Sequence, residues 1–172
     1  MLAVSDLFLT HMSLWTILLR LGAACLLGFL IGLDREVRGH PAGLRTHMLV
    51  ALAAATFTLV AFEITAAFEA ADNVQIDPLR VVEAITAGVA FLAAGTIIQA
   101  RGKVKGLTTG AGMWLAGAIG LACGAGFLAL AMICTGLVLL ILRPMHWIER
   151  RLDHGSPREP SEPGARSAKE GD

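Results

Sequence analysis

Four long apolar stretches constrain this chain more than any other feature of its sequence. They cover residues 14–33, 44–62, 81–100 and 107–142. A helix that crosses the hydrocarbon core of a bilayer needs about 20 mostly apolar residues, and the first three stretches have that length. The fourth is too long for one span. Because glycine adopts backbone angles that other residues avoid, the Gly-Ala-Gly segment 124–126 predicts a turn that divides it into spans at 109–123 and 127–142.

The composition agrees with a membrane protein that has a single folded domain. Of the 172 residues, 55% are hydrophobic and 16% are charged, whereas soluble domains carry about 25% charged residues. We therefore predict an all-α, polytopic transmembrane bundle of about five helices at 14–143. Residues 1–13 form a short N-terminal segment without the basic start of a signal peptide. We expect residues 144–172 to form a mostly disordered cytoplasmic tail, because 153–172 offers little apolar surface to offset the entropy of ordering.

The distribution of charge predicts the orientation of the bundle. Cytoplasmic loops are enriched in Lys and Arg. Basic residues collect in the first and third loops and after the fifth span, at Arg35, Arg38, Arg45, Arg101, Lys103, Lys105, Arg143, Arg150 and Arg151. The second loop is acidic instead. This alternation predicts an N-terminus outside the cell and a cytoplasmic C-terminus.

Pairs of glycines at a spacing of four residues indicate close packing between spans. Helices in lipid associate through small residues that let their backbones approach. The sequence has three such pairs, which are Gly28 with Gly32, Gly106 with Gly110, and Gly120 with Gly124. Packing within one chain is favoured over a dimer face, although the motif serves both. The third span is also rich in Ala and Gly, so we expect the third and fourth spans near the centre.

Ionisable residues inside the outer half of the bundle need partners. A charged side chain at the centre of a span costs about 3 kcal/mol on insertion scales, and Arg20 lies well inside the first span. It could pair with Glu83 or Glu63, which lie near the same outer side. The alternative is that Arg20 extends its side chain to the membrane surface.

A charged segment at the inner end of the first span is either an interfacial loop that fixes topology or the candidate functional site, and composition alone does not decide between them. Acids contribute little to membrane topology, so Asp34 and Glu36 need another reason to stand there. We predict that they meet Arg45 or Lys105 on the same membrane face, and that Asp34 and Arg45 hold the first two spans together. Small or polar neighbours complete the candidate site, namely Gly43, Thr46, Thr108 and Thr109. The hydroxyl groups of Thr108 and Thr109 can cap the exposed backbone N–H groups at the N-terminus of the fourth span.

Nothing in the sequence indicates an enzyme or a metal centre. There is no Ser-His-Asp spacing, no His-Glu-x-x-His and no phosphate-binding glycine loop. His40 and His47 lie close together, but a pair without a third ligand makes a poor metal site. Three cysteines lie in apolar runs and are expected to be free, at Cys25, Cys123 and Cys134. We expect no catalytic residue and no cofactor.

Three blocks of sequence carry a resemblance to a known family. They are GFLIGLDREVRGHPAGLRTHMLV at 28–50, DPLRVVEAITAGVAFLAAGTIIQ at 77–99 and VKGLTTGAGMWLAGAIGLACGAG at 104–126. In this order they resemble the signature of the MgtC/SapB family of bacterial membrane proteins. The positions that match the family pattern are Asp34, Arg35, Glu36, Ala42, Gly43, Leu44, Arg45, Thr46, Arg80, Gly88, Phe91, Gly95, Gly106, Leu107, Thr108, Thr109 and Trp114.

The resemblance implies a multi-pass, five-helix protein of the bacterial inner membrane. Family members are linked to growth under low magnesium and to survival inside host cells, and some modulate other membrane proteins, including the proton-driven ATP synthase. The chain departs from the pattern where Asp34 replaces Glu, Ala90 and Ala93 replace glycines, and Gly110 and Gly112 replace alanine-like residues. Many members carry a soluble C-terminal domain, so we expect regulation through that domain to be lost here or supplied elsewhere.

Two functions from different classes are compatible with these features. The first is a non-enzymatic regulator that lies in the lipid bilayer and binds another integral membrane protein. A homodimer is possible on the same features, and we expect no nucleic acid as a partner. The alternative is a magnesium transporter or ion-binding protein, with oxygen ligands from Asp34, Glu36, Thr46, Thr108 and Thr109. No span carries an acid near its midpoint, where transport sites commonly lie, so the regulator is favoured.

Overall fold

A computed structural model describes residues 10–69, 77–100 and 103–153 of the chain. Five helices make up most of it: α1 (Leu14–Val37), α2 (Leu44–Glu69), α3 (Pro78–Gly95), α4 (Leu107–Ala125) and α5 (Leu128–Asp153). A short antiparallel hairpin of β1 (Ile98–Ala100) and β2 (Lys103–Lys105) lies between α3 and α4. The prediction of an all-α bundle of about five helices is confirmed.

Three of these helices are long and apolar enough to cross a membrane. They are Leu14–Val37, Leu44–Phe68 and Leu107–Ala125. The apolar part of α5, Leu128–Leu142, is shorter. The chain is therefore a helical membrane protein. The orientation remains a prediction, and so do the limits of the domain; the predicted segment 1–13 and tail 144–172 fall largely outside the described residues.

The third predicted span ends earlier than the sequence suggested. We predicted a helix through residue 100, but α3 ends at Gly95 and the chain enters β1 at Ile98. Ile98 pairs with Lys105 across the hairpin. The β-branched run Thr96-Ile97-Ile98 favours a strand over a helix. Gly106, with a φ of 90°, then starts α4 from a left-handed conformation.

α4 lies at the centre of the bundle. It contacts all four other helices, and its buried residues cover most of its circumference. One apolar cluster joins it to α1 and α5, through Ala24, Ile31, Ile119, Cys123 and Ala131. A second joins it to α2 and α3, through Val50, Ala54, Ile85, Val89, Met113 and Ala116. The central position predicted for the fourth span is confirmed.

α3 is peripheral, in contrast to the prediction. It packs mainly against α4 and α2, and several of its large apolar side chains are exposed, including Leu79, Val82, Phe91 and Leu92. The small residues of α3 do not all face a neighbour, since a Cβ built on Gly88 or Gly95 meets nothing within 4 Å. The prediction that the third span lies near the centre rested on its content of Ala and Gly, and it is wrong. Small residues permit close contact between helices but do not enforce it.

Two of the predicted glycine pairs bring helices together at backbone distance. A Cβ on Gly120 would collide with the carbonyl oxygen of Ala51 in α2, and one on Gly124 would lie 2.6 Å from the carbonyl oxygen of Ala55. From the other side, a Cβ on Gly28 of α1 would lie 2.8 Å from the carbonyl oxygen of His47. α2 is thus held between α1 and α4, so these pairs serve packing within the chain.

Gly120→Ala is expected to destabilise the bundle, whereas Gly136→Ala is not. A methyl group at 120 overlaps fixed backbone atoms of α2, and overpacking of this kind costs about 1–3 kcal/mol. At Gly136 in α5 nothing lies within 4 Å of the added atom, and Gly-to-Ala in a helix is favourable by about 1 kcal/mol. Reversible unfolding of both variants in detergent micelles measures the difference. Equal unfolding free energies would contradict the packing described here.

Candidate functional site

Arg35 lies buried between α1 and α4. Its side chain sits in the last turn of α1 and is 2% exposed. The guanidinium donates a hydrogen bond from Nη2 to Oγ1 of Thr109, at 2.9 Å. Thr109, in the first turn of α4, is 3% exposed. Because a buried charge is costly unless it is compensated, this contact ties the end of one helix to the start of another.

His47 completes a buried polar cluster, which we define as Arg35, His47 and Thr109. The imidazole of His47 is fully buried, and its Nδ1 lies 2.9 Å from the carbonyl oxygen of Gly43. Since a carbonyl only accepts, Nδ1 carries the proton in this contact. The opposite nitrogen, Nε2, faces Gly112, where a Cβ would lie 3.2 Å away. The glycine at 112 therefore makes room for the ring.

The buried polar cluster is positively charged and incompletely hydrogen-bonded. Nε of Arg35 and Nε2 of His47 are buried and have no hydrogen-bond partner among the described residues. Arg35 also lies close enough to His47 for its charge to act on the imidazole. Asp34 offsets part of the charge of Arg35. Polar atoms left unbonded in a protein interior cost about 1–3 kcal/mol each, so the burial of these two nitrogens by itself opposes stability.

Glu36 caps the N-terminus of α2, a role the sequence did not indicate. Its Oε2 accepts a hydrogen bond from the backbone N–H of Leu44, at 2.9 Å. The carboxylate lies against Gly43, where a Cβ would collide with it. We expected Glu36 to meet Arg45 or Lys105, and that expectation is wrong for the described residues. One feature of the sequence could have suggested this role. α2 begins after Pro-Ala-Gly, which offers no capping side chain, so its first N–H groups need an acceptor from another part of the chain.

Asp34 pairs with Arg38 on its own helix. The two side chains form an ion pair at 2.9 Å across one helical turn. Arg38 also donates from Nη1 to the carbonyl oxygen of Leu142, at 3.0 Å, which links α1 to α5. The predicted pair of Asp34 with Arg45 is not formed among the described residues, where Arg45 is exposed. Arg38, which we had assigned only to topology, forms the hydrogen bond that connects the end of α1 to α5.

At the opposite end of the bundle, Arg20 binds a helix terminus instead of an acid. It donates from Nη1 to the carbonyl oxygen of Gly124, at 2.8 Å, near the end of α4. Glu63 instead accepts from the backbone N–H groups of His11 and Met12, at 2.8 and 3.0 Å. Glu83 is exposed. The predicted pairing of Arg20 with an acid is therefore wrong: the carbonyls at a helix C-terminus lack intrahelical partners and attract cations.

The remaining predicted residues lie outside the buried polar cluster. Arg45, Arg80, Glu83 and Thr108 are exposed, Thr46 is half-buried, and Trp114 is 45% exposed. Sequence reasoning missed His47, which it considered as part of a poor metal site. Among the described residues, no group of three or more His, Cys, Asp or Glu side chains could hold a metal ion.

The fold and this cluster define a helical membrane protein whose central glycine-rich helix is joined to α1 by a buried polar contact. A sequence profile of the MgtC family matches residues 21–151. The chain belongs to the MgtC family, which confirms the resemblance drawn from the three sequence blocks. No solved structure matches it.

Several named bacterial proteins are similar to the chain. It is 37% identical to SapB of Bacillus subtilis (strain 168), over 79% of this chain and 59% of that protein. It is 39% identical to MgtC of Brucella abortus (strain 2308), over 73% of this chain and 50% of the relative. It is 37% identical to YhiD of Escherichia coli (strain K12), over 71% of this chain and 57% of that protein. The name given to YhiD proposes that it is a magnesium transporter. The chain thus spans half to three-fifths of these relatives.

Thr109→Val is expected to destabilise the protein more than Thr108→Val. Valine keeps the shape of threonine but removes the oxygen that accepts from Arg35, and loss of a partner for a buried charged group costs about 1–3 kcal/mol. The neighbouring Thr108 is exposed, so its substitution should change stability by less than about 0.5 kcal/mol. Unfolding free energies in detergent measure both. If the two variants lose equal stability, the contact between Arg35 and Thr109 does not hold α1 to α4.

Proposed function

We propose that this chain is a non-enzymatic protein of the bacterial inner membrane that supports growth under magnesium limitation by modulating another integral membrane protein. The family and the magnesium association in the name of a relative support the physiological setting. The mode of action is inferred from the charge of the buried polar cluster and from the exposed face of α3.

The sign of the buried charge carries this proposal. Magnesium prefers oxygen ligands, with carboxylates among them, whereas the buried polar cluster presents the guanidinium of Arg35 and the imidazole of His47. The nearby acids are engaged in structural contacts, Asp34 with Arg38 and Glu36 with the N-terminus of α2. A cation would be repelled by Arg35. The arrangement is suited to holding helices in register.

The exposed face of α3 is the surface that we propose for the partner. Phe91 is one of the positions that match the family pattern, yet its side chain is 80% exposed. We assign this exposed residue of the family pattern to recognition of another membrane protein. α1 and α4 are each joined to α2 at backbone distance, so new helix contacts are expected on outer faces such as this one.

The second candidate function is transport of magnesium. The name of the Escherichia coli relative favours it, and oxygen-bearing side chains lie at one end of the bundle, including Asp34, Glu36 and Thr46. Entry of a cation there would require these acids to leave their present hydrogen-bond partners.

Photo-crosslinking at Phe91 tests the regulator proposal. A photoreactive phenylalanine analogue at position 91 should form an adduct with another integral membrane protein in cells that are growing at limiting magnesium. The same analogue at Leu140, which is 64% exposed on α5, serves as the matched control and should not. Phe91→Ala should reduce growth at limiting magnesium, and Leu140→Ala should leave it unchanged. Normal growth of the Phe91→Ala strain, with no protein adduct at 91, would overturn the proposal.

A further inference from the structure

Two side chains of the buried polar cluster lie over adjacent turns of one face of α4. The hydrogen bond to Thr109 holds the guanidinium of Arg35, and Nε2 of His47 faces Gly112. Residues three apart are neighbours on a helix surface, separated by a rise of about 4.5 Å. Nε of Arg35 and Nε2 of His47 are both buried and lack a hydrogen-bond partner among the described residues. The two side chains therefore lie near each other, and each has one nitrogen that needs a partner.

The interior beside Gly112 has room for a small molecule. Gly112 is buried, yet a Cβ built on it meets only one heavy atom of the described residues within 4 Å outside the backbone of α4, which is Nε2 of His47 at 3.2 Å. By contrast, a Cβ on Gly117, further along α4, would meet three atoms of Val89 within 3.3 Å. The space beside Gly112 is therefore open on its other sides, and Nε2 borders it.

The chemistry of the two nitrogens selects the occupant of this space. Nδ1 of His47 donates to the carbonyl oxygen of Gly43, so Nε2 carries a lone pair and accepts, whereas Nε of Arg35 donates. An occupant that bonds to both must donate as well as accept. A cation would be repelled by Arg35, and an anion without a proton could not donate to Nε2. Arg35 and His47 are 2% and 0% exposed, so the side chain of a partner protein cannot reach them. Water is small and neutral, and it both donates and accepts.

We propose that an internal water molecule binds between Arg35 and His47 beside Gly112, where it accepts from Nε of Arg35 and donates to Nε2 of His47. Two hydrogen bonds of about 2.9 Å let one water join nitrogens up to about 6 Å apart, which suits side chains one helical turn apart. Internal waters commonly bond to buried polar groups that are otherwise unsatisfied. This water offsets the cost of burying the two nitrogens. It also links α1 to α2 through side chains, whereas the hydrogen bond from Arg35 to Thr109 links α1 to α4.

Polarisation transfer from water protons to the imidazole of His47 tests the proposal. The full chain, labelled with ¹⁵N-histidine, is reconstituted in lipid bilayers, and His47→Gln identifies the resonances of His47 in the solid-state NMR spectrum. We expect Nε2 to receive polarisation from water. Gly112→Ala should remove most of this transfer, because its methyl group takes the space. Nδ1 keeps its contact with Gly43 in both proteins, so transfer through Nδ1 would be unchanged. The absence of transfer to Nε2 in the unmodified protein would overturn the proposal, even if Gly112→Ala failed to fold.

Serine at position 112 separates loss of the water from crowding. Gly112→Ser adds the same Cβ as Gly112→Ala, but its hydroxyl can donate to Nε2 in place of the water. The same substitutions at Gly22, an exposed residue of α1 where an added Cβ meets nothing within 4 Å, are the matched controls. Relative to them, Gly112→Ala should raise the unfolding equilibrium constant in detergent about fivefold more than Gly112→Ser, the factor that one hydrogen bond supplies. Equal losses in the two variants would indicate crowding alone and would overturn the proposal. A gain in stability of Gly112→Ser over the unmodified protein, relative to Gly22→Ser, would also overturn it, because Nε2 would then have been without a water.

Discussion

The approach of α4 to α2 at backbone distance is the constraint on which the rest of the bundle depends. In lipid no hydrophobic force drives helices together, so their association rests on van der Waals contact and on polar contacts between them. Gly120 and Gly124 supply that contact, since each lies against backbone atoms of α2 that a side chain would displace. α1 reaches the other side of α2 in the same way, through Gly28. Larger residues at these positions would hold the three helices apart.

This close approach is also what buries the polar groups. Arg35 reaches Thr109 because α1 and α4 both pack against α2, and the ring of His47 fits because Gly112 has no side chain. Charge within a membrane bundle is expensive, and here it stands where helices begin and end. The hydrogen bond from Arg35 to Thr109 joins α1 to α4 at one end of the bundle, and Arg20, bound to the carbonyl of Gly124, joins the same two helices at the other. The positive sign of the buried polar cluster is the observation on which our proposal of a regulator, and not a magnesium carrier, rests.

The helices and the family could be read from the sequence, whereas the polar contacts could not. Apolar length and glycine spacing are local signals, so the spans and the central place of α4 followed from them. The predicted charge pairs failed for a common reason. Arg20 binds the carbonyl of Gly124 and Glu36 binds the N–H of Leu44, and each of these backbone groups belongs to the end of another helix. Every residue has a backbone carbonyl, and nearly every residue has a backbone N–H, so the sequence does not mark which of these groups lack a partner at a helix end. A search that pairs charged side chains with each other therefore overlooks them. The early end of α3 was missed because apolar content alone does not distinguish a helix from a strand.

The central claim is that the buried polar cluster joins helices and does not conduct a cation. Magnesium flux into proteoliposomes tests this claim most directly. We expect uptake by vesicles that contain the purified chain to equal that of protein-free vesicles, for the unmodified protein and for Asp34→Asn alike. Protein-dependent uptake that is lost in Asp34→Asn would contradict this claim and would make the inner end of α1 part of a magnesium path.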